Sequence, residues 1–130
     1  MAVSPWTDLA LTGRSLQSRA NADPILRKDI LANAAAQYLA GHDAKDPLAS
    51  PLYGSVTDLP PIQMHVGEDE ILFDDARRYA EAVVAAHGAV NFHTWEGMLH
   101  VFPTYIGVLR AADAALSEMA AFLNSLPIAV

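Results

Sequence analysis

The chain contains no cysteine, so it can build neither a disulfide framework nor a thiolate metal site. It is also poor in cations. Eight Lys and Arg against fifteen Asp and Glu give a net charge of -7, the wrong sign for a partner made of phosphates. No stretch approaches the ~20 consecutive apolar residues that a membrane span requires. Met1-Ala-Val-Ser-Pro5 lacks the basic and apolar regions of a secretory signal. The expectations are therefore a cytoplasmic protein with no membrane span and no nucleic-acid partner. Low-complexity tracts are missing too, and at 52% apolar the 130 residues can bury a core as one domain. The chain opens abruptly in a strand-like segment, which reads as a beginning cut from something larger.

What is present is an alternation of strand-like and helix-like segments. Ala2-Val3-Ser4-Pro5-Trp6 reads as a brief strand ended by proline, and the stretch from Gly13 to Ala22 is polar and turn-rich. Asp23-Pro24 is a helix start, and Leu26, Ile30, Leu31, Ala34 and Tyr38 follow at helical spacing. They predict a helix over 24–40, closed by Gly41. Asp46-Pro47, Ser50-Pro51 and Tyr53-Gly54 mark 42–59 as an irregular connection. Ile62 to Val66 predicts a second strand. Asp74 or Asp75 then caps a helix with the apolar face Ala76, Tyr79, Ala80, Val83 and Val84, ended by a left-handed Gly88. Asn91 to Trp95 predicts a third strand. Ile106, Leu109, Ala112, Leu116, Met119 and Leu123 predict a long helix over 105–126. Strands alternating with helices imply an α/β fold with a parallel sheet.

In open α/β sheets, catalytic groups sit at the carboxyl ends of the strands. Asp69 follows Gly67 at one such end, and His100 follows Gly97 at the next. An acid and an imidazole in this order fit the last two members of a hydrolytic triad, whose serine should come earlier on a Gly-x-Ser-x-Gly elbow. The chain has no such elbow. Gly13-Arg14-Ser15-Leu16-Gln17 is the nearest approach and lacks the second glycine; Ser50 reads as a turn former and Ser4 as a strand-end hydroxyl. The acids Glu68, Asp69, Glu70, Asp74 and Asp75 do not read as a calcium loop, because Ile71-Leu72-Phe73 interrupts them. His65 and His93 lie inside strands and read as core residues rather than ligands. No metal and no cofactor are expected. Trp6, Trp95 and Phe102 suit either packing or the lining of an acyl pocket.

Ser4-Pro5-Trp6-Thr7-Asp8-Leu9, Asp23-Pro24, Asp46-Pro47-Leu48-Ala49-Ser50-Pro51-Leu52, Leu59-Pro60-Pro61, Val66-Gly67-Glu68-Asp69-Glu70 and Gly97-Met98-Leu99-His100-Val101-Phe102 follow in order. Together they resemble the C-terminal part of the hormone-sensitive-lipase-like carboxylesterases, an α/β-hydrolase family. The resemblance runs from about Ser4 to Leu126. It implies that Asp69 is the catalytic acid and His100 the base, in a segment whose strand-helix-strand-helix unit spans 60–126. It also implies that 13–56 forms part of a cap over the acyl pocket. Two departures stand out. Leu99 replaces the family's usual proline, and the second Asp of the acid motif comes four residues after the first in many members, whereas Asp74 is five after Asp69. Asp74 is therefore a rival acid. The implied activity is hydrolysis of short-chain carboxylic esters, with the serine and the oxyanion loop absent from this chain. The alternative is a non-catalytic α/β module that acts through association. The implied interior position of the first strand leaves an open edge, which predicts a homo-oligomer.

Overall fold

The computed structural model describes residues 1–127. Its sheet has three parallel strands in the order β1 (Ala2–Val3), β2 (Ile62–Gly67) and β3 (Val90–Trp95). Four α-helices accompany them among the described residues: α1 (Ser15–Ser18), α2 (Lys28–Leu39), α3 (Phe73–Ala85) and α4 (Arg110–Ser125). The register pairs His65 with both Val3 and His93, and Gly67 with Trp95. The carboxyl ends of β2 and β3 are therefore level, and their exit loops leave the sheet side by side.

Side chains alternate between the two faces. Phe73 of α3 meets Phe92 edge-on, so α3 covers the face that carries Met64 and Val66. Glu118 of α4 pairs with His93, so α4 covers the face of Gln63, His65, His93 and Trp95. Both sides are screened, as a parallel sheet requires.

Several expectations shift. β1 stops at Val3 because Ser4 turns into the left-handed region (φ 45) and Pro5 has no N–H to donate. The helix expected over 24–40 starts at Lys28, because Asp23 Oδ1 accepts from the amides of Ile25 and Leu26 in a separate turn. Its buried stripe is Leu31, Ala35 and Leu39, whereas Ile30 and Tyr38 are 49% and 70% exposed. At the end of α3 the left-handed residue is His87 (φ 60), not Gly88. Glycine is needed at 88 for a different reason: a Cβ there would lie 2.7 Å from Val83 Cγ1. Asp75 does not cap its own helix; its Oδ2 accepts from the amides of Thr7 and Asp8. The last helix starts at Arg110 and buries Ala112, Ala115, Met119 and Phe122, leaving Ile106 and Leu123 exposed.

Beneath α4, the His65 and His93 rings stack with centroids 4.6 Å apart. The Trp95 indole N–H donates to His65 Nδ1 at 3.1 Å, which leaves the ring's proton on Nε2, a buried atom with no partner among the described residues. Burial first, and the neighbouring His93 second, push the pKa of His65 down to about 4. The folded value lies below the ordinary value of 6.5, so this group contributes stability above pH 6.5 that is lost as pH falls toward 4. In His65→Asn the amide oxygen can still accept from Trp95, but nothing titrates. Urea unfolding should find the variant less stable at pH 7, with the difference narrowing toward pH 4.5. A difference that stays constant over this window would contradict the assignment.

Candidate active site

The exit of β2 is shaped by one missing side chain. A Cβ on Gly67 would lie 2.1 Å from the carbonyl oxygen of Met98, so only glycine lets the loop after β3 rest on the turn after β2. Backbone bonds then fasten the two loops: Glu68 N–H donates to Trp95 O (2.9 Å) and Asp69 N–H to Met98 O (3.2 Å).

The turn delivers Glu70 to the middle of this junction, with no exposed surface. Its Oε1 accepts from Gly67 N–H at 2.7 Å and from the Ser4 hydroxyl at 2.6 Å. Its Oε2 lies 3.0 Å from His100 Nδ1. A carboxylate only accepts, so the bond places the imidazole proton on Nδ1 and leaves the Nε2 lone pair free. That is the tautomer a general base requires. The His100 side chain is 20% exposed, so the free edge can be reached.

The carboxylate that meets His100 is therefore that of Glu70, not Asp69. Asp69 is half-buried, and among the described residues its side chain makes no hydrogen bond or ion pair. Asp74 does not meet His100 either: it accepts from Ser15 N–H (3.0 Å) and pairs with Arg77. The missed signal was spacing. Asp74 is four residues after Glu70, the interval that Asp69 fails to give.

The three serines weighed as nucleophiles are all committed elsewhere. Ser15 Oγ donates to Ile71 O and accepts from Asp74 N–H; Ser50 Oγ donates to Ala44 O and accepts from Leu9 N–H. Ser4 gives its proton to Glu70 and accepts from Val101 N–H. Phe102 is fully buried and packs on Trp95, so packing accounts for it. Trp6 joins Leu9, Ala34, Tyr38 and Ala49 around a cavity of about 340 Å³.

One group of possible metal ligands exists among the described residues: His65, His93 and Glu118, with ligand atoms within 4.8 Å of one another. Its geometry is unsuitable. A metal lies in the plane of each imidazole that binds it, and these two rings are stacked only 5° from parallel. Trp95 also directs the proton of His65 onto Nε2, the atom that would have to ligate.

Glu70 and His100 thus meet past the carboxyl ends of adjacent parallel strands, the edge at which open α/β sheets carry their sites. The chain belongs to the alpha/beta hydrolase fold family, whose description matches residues 1–104. It is 41% identical over 123 residues to an acetyl-hydrolase of Streptomyces hygroscopicus, covering 95% of this chain and 41% of that protein. It is 34% identical over 125 residues to an esterase of Acinetobacter venetianus, with coverage of 95% and 41%. A solved hormone-sensitive lipase from a metagenome library matches with a TM-score of 0.91 at 34% identity, over 95% of this chain and 42% of the other. The chain thus spans about two fifths of the length of these relatives.

The close approach at Gly67 is testable. Gly67→Ala should lower stability by about 1–3 kcal/mol, as overpacking against a rigid backbone does. Chemical denaturation measures it, and a loss below about 0.5 kcal/mol would mean that the two loops are not pressed together.

Proposed function

We propose that this chain supplies the acid and the base of a serine carboxylesterase that cleaves short-chain esters, with Glu70 as the acid and His100 as the base. The observation that carries this reading is the bond from His100 Nδ1 to the buried Glu70 carboxylate. The nucleophilic serine and the oxyanion donors lie outside these 130 residues. In the reaction, His100 Nε2 takes the serine proton as the serine oxygen attacks the ester carbonyl carbon. The resulting imidazolium then returns that proton to the departing alcohol oxygen. A water molecule repeats the sequence on the acyl-enzyme and releases the acid. Throughout, Glu70 holds the tautomer and offsets the charge on the ring. The 13–56 segment belongs to a cap, and the apolar cavity beside Trp6 and Tyr38 supports an acyl-binding role for that region.

The similarity to an acetyl-hydrolase and to esterases supports the ester reaction. In an enzyme that includes this chain, Glu70→Gln and His100→Ala should each lower kcat by about 10³–10⁴-fold, while Asp69→Asn changes it by less than about threefold. Steady-state kinetics on a chromogenic short-acyl ester separates these cases. A crippled Asp69→Asn beside an active Glu70→Gln would transfer the role to Asp69.

A second reading, association of copies, is favoured by the sheet order, which leaves one edge of β1 without a strand among the described residues. Tyr38, Leu48 and Val108, exposed by 70%, 93% and 77%, add apolar surface. The chain should sediment as a dimer or larger species at micromolar concentration, and turn over ester negligibly by itself. A cooperatively melting monomer of 13.9 kDa would contradict the association.

A further inference from the structure

We infer that Ser4 is a positioning residue for the acid-base pair, a role that rests on the assignment of Glu70 as the acid. Its hydroxyl touches both partners' supports at once. It donates to Glu70 Oε1 at 2.6 Å and accepts from the amide of Val101, the residue after His100, at 3.0 Å. Ser4 is 4% exposed, so neither bond competes with bulk water.

The backbone indicates that this arrangement is held against a cost. Ser4 has φ 45, a region that favours glycine and disfavours side chains with a Cβ. Its own amide still donates to His65 O at 2.8 Å, so it extends the β1–β2 pairing while the left-handed turn re-aims its side chain. Val101 is left-handed as well, with φ 49, and a 3-10 turn (Phe102–Tyr105) follows it. The hydroxyl thus joins two strained residues, one leaving β1 and one just past His100.

The consequence for the pair is geometric. Glu70 Oε1 receives two donors, Gly67 N–H and the Ser4 hydroxyl, which leaves Oε2 to His100. Without the hydroxyl, Oε1 keeps one donor and Val101 N–H loses its acceptor. Both the carboxylate and the loop that carries the imidazole then loosen together. Ser4 makes no bond to His100 itself, so it acts on the base through Glu70 and Val101.

Long-range nitrogen-15 NMR on the 130-residue chain reads the tautomer of His100 and its Nδ1–H resonance. The wild-type chain should show one tautomer, protonated at Nδ1, with that proton far downfield. Ser4→Gly relieves the positive φ while removing the hydroxyl, so it should keep its fold by circular dichroism. Even so, in Ser4→Gly and Ser4→Ala the Nδ1–H resonance should move upfield and the Nε2–H tautomer should appear. Glu70→Gln serves as the reference. If it alters the His100 signals and neither folded Ser4 variant does, Ser4 is a structural hydroxyl only and the inference falls while the acid assignment stands. If Glu70→Gln alters nothing, both fall. Should both Ser4 variants fail to fold, hydrogen exchange in the wild-type chain decides. Slow exchange at the Val101 amide supports the bond to Ser4, and exchange at the rate of an open loop overturns it.

Discussion

A carboxylate with no exposed surface must be surrounded by donors, and the exits of the three strands among the described residues are arranged to surround that of Glu70. Ser4, just past β1, gives a hydroxyl. Gly67, the last residue of β2, gives an amide. His100, beyond β3, gives a ring N–H. Ionic and hydrogen-bonding demand at one buried group therefore fixes where three loops leave the sheet. The absence of a Cβ on Gly67 is the steric condition that lets the second and third exits come close enough to satisfy it.

A second buried network secures the first exit from the side. Asp75 receives the amides of Thr7 and Asp8, while Asp8 is bound by Thr12, Tyr53 and Arg78. Burial pushes the Asp75 carboxyl up to about 6. Burial also opposes ionisation of Asp8, but there the bonds from Thr12, Arg78 and Tyr53 outweigh it and hold the pKa below its ordinary value. Asp74 in turn holds Ser15 at the start of α1. The acids at the start of α3 thus make no capping bond to their own helix end. They receive loops arriving from β1 and from the segment that follows it, which keeps Ser4 beside Glu70.

The strand segments, the parallel α/β organisation and the position of His100 were legible because each rests on a local pattern: a short apolar run, a glycine, a polar residue past the strand end. The carboxylate that meets His100 was legible only to within one residue. Glu68, Asp69 and Glu70 occupy one tight turn, and a sequence period does not say which of three consecutive turn residues faces the neighbouring strand. Asp69 stands nearest the local pattern, whereas the four-residue interval to Asp74 starts at Glu70. The buried stripe of α2 differs from the expected one for a related reason, with Leu31 common to both. In a helix this rich in alanine, Leu31, Ala35 and Leu39 cover the core as readily as Ile30 and Tyr38 could. Only tertiary packing decides between the two stripes. Ser4 reads in the sequence only as a strand-end hydroxyl, because its two partners lie 66 and 97 positions away.

The pairing proposed for the site requires that His100 be energetically coupled to Glu70 and not to its neighbour Asp69. A double-mutant cycle on the unfolding free energy of this chain measures that coupling without requiring turnover. Glu70→Gln is combined with His100→Phe, and Asp69→Asn with the same histidine change. The expected coupling is about 1 kcal/mol or more for Glu70 with His100, with additivity within about 0.3–0.5 kcal/mol for Asp69 with His100. Additivity for the first pair together with clear coupling in the second would contradict it.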